Sequence, residues 1–440
     1  MSEQDEQEDG VPPVTTHIFG GGTVFHVRPH LALCAPAYGQ VARDIHMALL
    51  RRGVLSKCHM TKMAAAGGGD LETNEDVALR IDELVEDPST KMIFMAAALC
   101  DFEGAIVDEF ADPSYVTRSG KDQLRLHTSL RNVHTGEDVP HSYNMKLTPS
   151  AKVIRRVRKT RKDIFLVGFK TTSGSAPPFQ YEAGLTLLKQ ASCNLVLAND
   201  VHTRLNMVIT PEQARYHETT DRAAAINGLV DMAVLRSQLH FTRSKIVPGE
   251  PVPWTSELVP SALREVVNHC IERGAYRPFL DGTVGHFAVK LDERSFLTSR
   301  RKTNYNRDLF RAGLVLVEAD GPDEVIAHGS RPSVGGQSQR IVFAEHPDTD
   351  CIVHFHCRPK PTSVVPVRSQ REYECGSHEC GQNTSSGLER FALPKGQHLY
   401  AVTLDQHGPN IVFHRAVNPK SVIEFIEANY QLGTPTDAYL

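Results

Sequence analysis

Two histidines in the second half of the chain, His354 and His356, are one residue apart in an apolar segment, Cys351–Cys357. In a β-strand, side chains two positions apart lie on the same face, so both imidazoles point to one side while Val353 and Phe355 point to the core. Two imidazoles placed in this way can bind a divalent metal ion if a third ligand comes from elsewhere in the chain. The alternative is a polar strand face that is hydrogen-bonded to a neighbouring strand.

A glycine-rich turn in the first half of the chain could bind phosphate. It follows a short apolar segment, His17–Phe19, and consists of Gly20, Gly21, Gly22 and Thr23. Glycine lets backbone N–H groups approach a phosphate closely, because it has no Cβ. The alternative is a tight turn between a strand and a helix that binds nothing.

Three further polar or glycine-containing segments follow apolar runs in the same half of the chain. They are Ala96–Phe102, Val167–Phe169 and Ala198–Val201. Open α/β sheets bind their ligands at the carboxyl ends of the strands. We therefore expect these segments and the glycine-rich turn to converge on one crevice.

The elements that must position these segments alternate between strands and helices. Apolar runs at 17–19, 92–98, 164–169 and 194–198 predict strands, and the spacing of Val41, Ile45, Val77 and Ile81 predicts helices between them. Strands that alternate with helices in this way are typical of a parallel sheet with helices on both faces. The first half of the chain is therefore predicted to be a Rossmann-like α/β domain.

A segment with four prolines, 244–260, separates this alternating pattern of strands and helices from a different pattern in the rest of the chain. Beyond it we expect helices at 262–274 and 419–430, with strands at 285–291, 314–319, 351–356, 398–404 and 410–414. These elements predict an α/β domain with a mixed or antiparallel sheet. The expected organisation is a disordered acidic tail at 1–14, domains at 15–245 and 260–440, and a proline-rich linker at 246–259.

The strand-end motifs of the first domain resemble those of the phosphopantothenoylcysteine synthetase family over about residues 15–235. Enzymes of that family join a carboxylate to an amine through an acyl-nucleotide, so the resemblance implies CTP or ATP with Mg²⁺ as the cofactor. It implies that Asp101 and Lys121 act in catalysis. The residues that it implies for nucleotide binding are Gly20, Gly21, Gly22, Thr23, Lys146, Phe169, Asn199 and Asp200.

The second domain resembles the class II aldolase/adducin family over about residues 260–435. The resemblance rests on four segments in the family's order: Gly282–Val289, Pro332–Ser333, His346–Asp348 and Gln406–Gly408. It implies that His354, His356 and His407 are zinc ligands. Three histidines leave a fourth position open, where zinc can polarise a carbonyl group. The resemblance also implies a homo-oligomer, a dimer or a tetramer.

In both resemblances, this chain has other residues at positions where the family has catalytic ones. Residues 35–40 lack the asparagine and the lysine of the synthetases, and Gly335 stands where the aldolases have an acid/base glutamate. Glu374 or Glu379 could replace that glutamate. Two functions therefore stay open: a bifunctional biosynthetic enzyme with ligase-type and zinc-dependent lyase-type domains, or a diverged scaffold or binding protein with one or both sites inactive.

A loop in the second domain carries further metal-ligand types, Cys375, His378 and Cys380. Either cysteine could add a metal ligand beside the histidines. The equally good alternative is an ordered loop with two reduced thiols, because structural zinc usually takes four ligands.

The composition is that of an ordinary globular protein. Of the 440 residues, 40% are hydrophobic and 23% are charged, the net charge is −4, and no apolar run is long enough for a membrane span. The small net charge favours a small-molecule partner over nucleic acid, and the resemblances make that molecule a phosphorylated or carboxylated one. The basic run at 152–162 is predicted to be a solvated helix face. The acidic first residues and the odd number of cysteines, nine, favour the cytoplasm.

Overall fold

The computed structural model describes residues 15–65, 68–107, 115–116, 126, 128–321, 324–333 and 336–435. The predicted tail at 1–14, the predicted catalytic residue Lys121 and the family position Gly335 lie outside these residues.

The chain divides into two compact units. The first comprises the described residues up to Thr171, together with Thr186–Leu197 and Asp221–Val230. The second comprises Thr172–Leu185, Ala198–Thr220 and the described residues from Asp231 onward. This division differs from a single boundary at 246–259, because two short pieces from the first half of the sequence belong to the second unit.

The strands, in chain order, are β1 Thr16–Gly20, β2 Val24–Arg28, β3 Leu31–Cys34, β4 Ser56–Met60, β5 Met92–Met95, β6 Phe102–Val107, β7 Tyr115–Val116, β8 Ser129–Asn132, β9 Asp138–Pro140, β10 Asn144–Pro149, β11 Phe165–Thr172, β12 Leu195–Asp200, β13 Asn206–Ile209, β14 Arg215–Thr219, β15 Arg243–Val247, β16 Pro278–Phe279, β17 Gly282–Thr283, β18 His286–Lys290, β19 Ser295–Ser299, β20 Leu314–Ala319, β21 Glu324–His328, β22 Cys351–His354, β23 Cys357–Pro359, β24 Val367–Arg368, β25 Glu389–Ala392, β26 His398–Leu404, β27 Gly408–Phe413 and β28 Tyr430–Pro435. The α-helices are α1 Gln40–Leu50, α2 Asn74–Glu86, α3 Arg155–Thr160, α4 Pro177–Ala191, α5 Arg222–Arg236, α6 Ser261–Glu272, α7 Tyr305–Ala312, α8 Gly336–Glu345, α9 His378–Gly387 and α10 Pro419–Asn429.

The first unit contains a parallel sheet. Strands β4, β1, β5 and β11 lie side by side in this order, and each neighbouring pair is parallel. Ile18, Phe94 and Leu166 in the middle of three of these strands are fully buried, as are Ile45 of α1 and Ile81 of α2. The predicted parallel α/β architecture is therefore confirmed.

The second unit contains a mixed sheet of ten strands. The order is β15-β21-β20-β19-β18-β22-β27-β26-β24, and β25 also pairs with β26. The pairings are antiparallel between β18 and β22, β22 and β27, and β26 and β27, and parallel for β15 with β21 and β24 with β26. The mixed sheet expected from the sequence is therefore confirmed.

Helices pack on both faces of this sheet. Residues along its central strands alternate between two cores, because successive side chains of a strand point to opposite faces. Phe287 and Phe355 belong to the core that also contains residues of α6 and α10. Ala288 and Ile352 belong to the opposite core, with Phe343 of α8. The even-numbered positions of β18 and β22 therefore face α8.

The proline-rich segment is attached to the second unit. Trp254 is 1% exposed and lies in the core of α6 and α10. The backbones of Val252 and Leu314 exchange two hydrogen bonds, of 2.9 and 2.8 Å. Residues 252 and 254 of the predicted linker are thus packed on the second unit.

The basic run contains helix α3, with Val153 and Val157 buried and Lys152, Arg155, Lys159 and Lys162 exposed, as predicted, while other arginines of the run bond to the protein. The Arg158 guanidinium donates to the backbone oxygens of Lys162 and Ile164, at 2.8 and 2.7 Å, and Arg156 pairs with Asp82. Arg158 thus satisfies two carbonyl groups just before β11, and Arg156 joins α3 to α2. Among the described residues, no helix is both long and apolar enough to cross a membrane.

Candidate metal centre

The structure brings together the three histidines that the sequence marked as metal ligands. His354, His356 and His407 each offer one ring nitrogen, and these atoms all lie within 4.8 Å of one another. The ring centroid of His407 is 4.5 Å from that of His354 and 4.5 Å from that of His356. The three side chains are only 1%, 9% and 3% exposed. The group is therefore a compact, buried cluster of donors.

Strand pairing places these histidines. His354 ends β22 and pairs with Asn410 of the antiparallel neighbour β27, and His356 follows two residues later. His407 belongs to the turn that joins β26 to β27. Because β22 and β27 are hydrogen-bonded neighbours, the end of one and the turn before the other meet at the same edge of the sheet.

The turn that carries His407 depends on glycine. Gly408 has a φ of 126°, which side chains rarely allow. A Cβ at this position would lie 2.1 Å from the carbonyl oxygen of Phe355 and 3.2 Å from the Cα of His356. The turn therefore packs directly on the segment that carries the other two ligands.

One hydrogen bond fixes the orientation of His354. Its Nδ1 is 2.7 Å from the carbonyl oxygen of Pro409, which can only accept, so this nitrogen is the one that carries the proton. The other nitrogen, Nε2, is buried and has no hydrogen-bond partner among the described residues. Burial lowers the pKa of His354 to about 4, although the bond to Pro409 raises it. The imidazole is thus neutral at pH 7, the form that binds metals.

These features fit a divalent metal ion. A buried nitrogen without a partner is costly, and an ion would satisfy it. A metal-binding histidine typically donates its other N–H to a backbone oxygen or a carboxylate, as His354 does to Pro409. Three neutral nitrogen donors are the ligand set of catalytic zinc.

A fourth imidazole beside the group was not predicted from the sequence. His286 of β18 lies directly opposite His354 of β22, and their ring centroids are 4.7 Å apart. Burial lowers the pKa of His286 well below its usual range, and the neighbouring His354 lowers it further. Two signals were available, the strand pattern at 285–291 and the aldolase-like segment Gly282–Val289, but neither showed that this strand pairs with β22.

Neither glutamate proposed as the acid/base residue belongs to the histidine group. Glu379 accepts a hydrogen bond from Nδ1 of His240 at 2.7 Å and lines a surface cavity with Arg368 and Tyr373. Glu374 is buried and interacts electrostatically with Arg236.

The cysteine loop bonds to other parts of the second unit. The hydroxyl of Ser377 caps α9 by accepting the backbone N–H of Cys380 at 3.0 Å. The Cys380 sulfur accepts from Nε2 of Gln370 at 3.5 Å, and His378 is 2.9 Å from the hydroxyl of Thr242. In the described residues these donors form no group of three metal ligands.

In the predicted phosphate-binding turn of the first unit, the backbone N–H groups of Gly22 and Thr23 donate to carbonyl oxygens of the same unit. Gly22 donates its N–H to Ala37 at 2.8 Å, and Thr23 donates to Ala98 at 3.0 Å. A Cβ on Gly22 would lie 1.9 Å from the carbonyl oxygen of Ala35. Glycine is required at position 22 because residues 35–37 lie against it.

The other predicted ligase residues that the structure describes lie on the strands β10, β11 and β12 and just before β6, and those of β12, Asn199 and Asp200, belong to the second unit. Asp101 is exposed and pairs with Lys152 at 2.6 Å, a lysine that the family motifs did not mark. Lys146 is exposed on β10, opposite Ala105 of β6. Phe169 lies in β11 and is partly buried.

Asn199 and Asp200 end β12, and the Asp200 carboxylate holds the surrounding loops. It accepts five hydrogen bonds of 2.8–3.1 Å, from the Thr172 hydroxyl and from the backbone N–H groups of Gly174, Ser175, His202 and Thr203. These bonds, led by the one from Thr203, lower the pKa of Asp200 well below its usual range. Its oxygens are therefore already occupied by donors of the protein.

No protein-family model and no curated protein sequence matches the chain. Among solved structures, it is similar to a DNA/pantothenate metabolism flavoprotein from Streptococcus pneumoniae, at 18% identity and a TM-score of 0.37, over 48% of this chain and 95% of that one. It is also similar to the C-terminal domain of the coenzyme A biosynthesis bifunctional protein CoaBC, at 10% identity and a TM-score of 0.34, over 50% and 92% of the two chains. A third similar structure is L-fuculose 1-phosphate aldolase, at 17% identity and a TM-score of 0.29, over 40% and 82%. Both families that the sequence motifs resemble are thus represented among these structures.

Proposed function

We propose that the second unit binds one divalent ion, zinc, through His354, His356 and His407, and that it catalyses lyase-type chemistry on a small carbonyl compound. The observation that carries this proposal is the group of three buried ring nitrogens within 4.8 Å of one another. Three neutral ligands leave the double charge of the ion uncompensated and leave one position open. This is the arrangement of catalytic rather than structural zinc sites.

When bound, zinc would polarise a carbonyl oxygen and so ease cleavage or proton loss at the neighbouring carbon. The chain's own residues prepare the site for this chemistry. The bond from His354 to Pro409 keeps Nε2 available to the ion. Phe355 is fully buried between the two histidines in sequence and anchors their backbone against Tyr430, with ring centroids 5.7 Å apart. Burial of the cluster excludes water, which strengthens electrostatic interactions within it.

Elemental analysis of the full chain, purified after growth with zinc, tests the proposal. We expect one ion per chain in the unaltered protein and none in a His354→Ala, His356→Ala double variant. A His346→Ala, His398→Ala double variant is the matched control, because it removes two histidines of the same unit outside the group and should keep the ion. Equal metal content in all three proteins, or none in any, would contradict the proposal.

For the first unit we propose that CTP or ATP with Mg²⁺ binds near the carboxyl ends of its parallel strands and supports a ligase-type reaction. The exposed charges of Asp101 just before β6, of Lys146 on β10 and of Lys152 after β10 support this proposal. Calorimetry with each nucleotide and Mg²⁺ tests it, with expected binding that is lost in a Lys146→Ala variant. The two proposals together describe a bifunctional biosynthetic enzyme.

The closed backbone of the glycine-rich turn favours a second candidate for the first unit, a binding module or scaffold without nucleotide chemistry. The N–H groups of Gly22 and Thr23 donate hydrogen bonds to carbonyl oxygens of the chain. No heat and no thermal shift at saturating nucleotide would select this candidate. It leaves the metal centre of the second unit unaffected.

We further propose that the protein is a cytoplasmic homo-oligomer, a dimer or a tetramer, that acts on a phosphorylated or carboxylated small molecule. The support is the resemblance of the motifs to the two enzyme families. Sedimentation equilibrium of the zinc-loaded protein tests the assembly, and a monomer at micromolar concentration would contradict it.

A further inference from the structure

We infer that the hairpin formed by β13 and β14 positions the metal ligand His407, through a hydrogen bond from the backbone N–H of Arg215 to the side chain of Gln406. The inference rests on the proposed metal centre. It adds to that centre a positioning residue, Gln406, and a contact from a segment that the sequence assigned to the other domain.

The hydrogen bond joins two segments that are far apart in the sequence. Arg215 begins β14, and its backbone N–H donates to Oε1 of Gln406 at 3.0 Å. Both residues belong to the second compact unit, although Arg215 lies within the predicted first domain at 15–245. Gln406 directly precedes His407, so a contact that fixes Gln406 also fixes the backbone that enters the metal ligand.

The register of the hairpin leaves the N–H of Arg215 free to make this bond. The N–H of Thr210 donates to the carbonyl oxygen of Ala214 at 3.2 Å, so these two residues form a hydrogen-bonded pair. The next pair is Ile209 with Arg215. Hydrogen-bonded and non-hydrogen-bonded pairs alternate between antiparallel strands. The N–H of Arg215 therefore points away from β13, towards Gln406.

Three contacts fix the tip of the hairpin. Glu212 is buried and pairs with Arg236. The Tyr181 hydroxyl donates to the backbone oxygen of Gln213 at 2.7 Å, and Nη2 of Arg277 donates to Oε1 of the same residue at 3.1 Å. The hairpin therefore presents the donor to Gln406 from a fixed position.

The backbone at Gln406 shows why the side chain of this residue matters. The N–H of His407 donates to the carbonyl oxygen of Leu404 at 3.0 Å, the bond of a β-turn whose third residue is Gln406. Gln406 has a φ of 53°, a conformation that glycine and asparagine adopt more readily than glutamine. Glutamine is thus unfavourable for the backbone here, and the bond of its longer side chain to Arg215 offsets that cost.

The position of His407 decides whether the three histidines can share one ion. His354 ends β22 and His356 follows it, whereas His407 comes from this turn. The ring nitrogens of all three lie within 4.8 Å of one another only while the turn is in place. Removal of a group that orients a metal ligand typically costs about 10–100-fold in metal affinity.

The test uses the full chain and compares variants on both sides of the bond. Gln406→Asn keeps an amide and suits the positive φ, but its side chain is one CH₂ group too short to reach Arg215. Arg215→Pro removes the N–H, at a strand position where proline is tolerated because this N–H points away from β13. Arg215→Ala is the matched control, since it removes the same side chain and keeps the N–H. A double variant combines Gln406→Asn with Arg215→Pro.

Three measurements are made on each protein. Competition with a chelating dye gives the zinc affinity, and the visible absorption of cobalt(II), bound in place of zinc, reports the geometry of the ligands. The thermal midpoint of the metal-free protein reports the stability of the fold. A role in stability alone would lower that midpoint and leave the cobalt(II) absorption unchanged.

We expect Gln406→Asn and Arg215→Pro each to bind zinc about tenfold more weakly and to alter the cobalt(II) absorption. The double variant should bind zinc no more weakly than the weaker single variant, because both changes remove the same bond. Arg215→Ala should match the unaltered protein in zinc affinity and in cobalt(II) absorption.

Three results would overturn the inference. They are an unchanged zinc affinity and cobalt(II) absorption in Gln406→Asn, losses that multiply in the double variant, and equal losses in Arg215→Ala and Arg215→Pro, which would assign the effect to the arginine side chain. If Arg215→Pro does not fold, Gln406→Asn decides alone. An unaltered protein that binds neither zinc nor cobalt(II) would instead refute the proposed metal centre, and this inference would fall with it.

Discussion

Arg236 and Glu212 form an ion pair in which neither side chain has any exposed surface, with 3.1 Å between Nη1 and Oε2. The other guanidinium nitrogens donate to the carbonyl oxygens of Arg371 and Gln370, at 3.0 and 3.1 Å. The second carboxylate oxygen accepts the backbone N–H of Cys375. The pair therefore holds the segment before α9 against the rest of the second unit.

Replacement of Arg236 by methionine should strongly destabilise the second unit. The change leaves the Glu212 carboxylate buried without its counter-charge, which typically costs about 3–5 kcal/mol. Urea unfolding followed by the fluorescence of Trp254, which is 1% exposed, measures the effect. Arg307→Met removes an arginine from an exposed pair with Asp308 and should leave the midpoint unchanged. Similar midpoints for the two variants would contradict the structural role of the buried pair.

A Gly408→Ala substitution should weaken zinc binding without touching a ligand. The new Cβ would meet the Phe355 carbonyl oxygen at 2.1 Å, so the turn that carries His407 must move. We expect at least about a tenfold loss of zinc affinity, measured by competition with a chelating dye. Gly396→Ala is the matched control, since Gly396 also has a positive φ, 73°, but has open space around its Cβ position. Equal zinc affinity of the two variants would show that the turn tolerates the shift.

The sequence predicted those parts of the second unit that depend on local spacing. The limits of β20 and β26 agree with the predicted strands at 314–319 and 398–404, because each segment is rich in apolar residues, with Val315 and Val317 in the first and Leu399 to Val402 in the second. The alternation from Val353 to His356 predicted which side chains face the core, and Phe355 is indeed fully buried. Strand limits and the alternation of side chains depend on neighbouring residues, so they can be predicted without knowing the partner strand.

Features that depend on distant pairing were not predictable in this way. His286 lies beside the histidine group only because β18 pairs with β22, which is more than sixty residues away along the chain. The predicted end of the first domain at 245 falls within β15, Arg243–Val247, which pairs with β21 of the second unit. The N–H group of Gly22 is likewise occupied because residues 35–37 lie against the turn. A glycine-rich motif does not predict this contact.

The Asp200→Asn substitution separates a structural role from a ligand-binding one. An amide in place of the carboxylate would direct N–H groups at backbone donors such as those of Gly174 and Thr203. We expect a lower thermal midpoint with or without nucleotide, because the loops lose acceptors that the ligand does not supply. Asp101→Asn, at an exposed ion pair, should leave the midpoint unchanged. A normal midpoint together with lost nucleotide binding would instead identify Asp200 as a nucleotide ligand.

The histidine pair of β1 and β4 should make the first unit sensitive to acid. Nδ1 of His17 is 3.1 Å from Nε2 of His59, and both side chains are buried. Burial, together with the charges of His17, Arg80 and Lys57, lowers the pKa of His59 from 6.5 to about 3. Between these values the unfolded chain takes up a proton that the folded chain does not. Stability is therefore complete above about pH 6.5 and decreases as the pH falls towards 3, by up to about 1.4 kcal/mol per pH unit for this one proton.

A His59→Gln variant should remove that dependence. Hydrogen exchange of peptides that contain β1 and β4, recorded between about pH 7 and about pH 4.5 and corrected for the intrinsic exchange rate, reports the opening free energy of this sheet. We expect the decrease of that free energy with acid to be smaller in the variant by about one proton. His134→Gln, at an exposed position of the same unit, should retain the full decrease. If the unaltered protein and the His59 variant lose stability in parallel, the acid sensitivity must come from groups other than this pair.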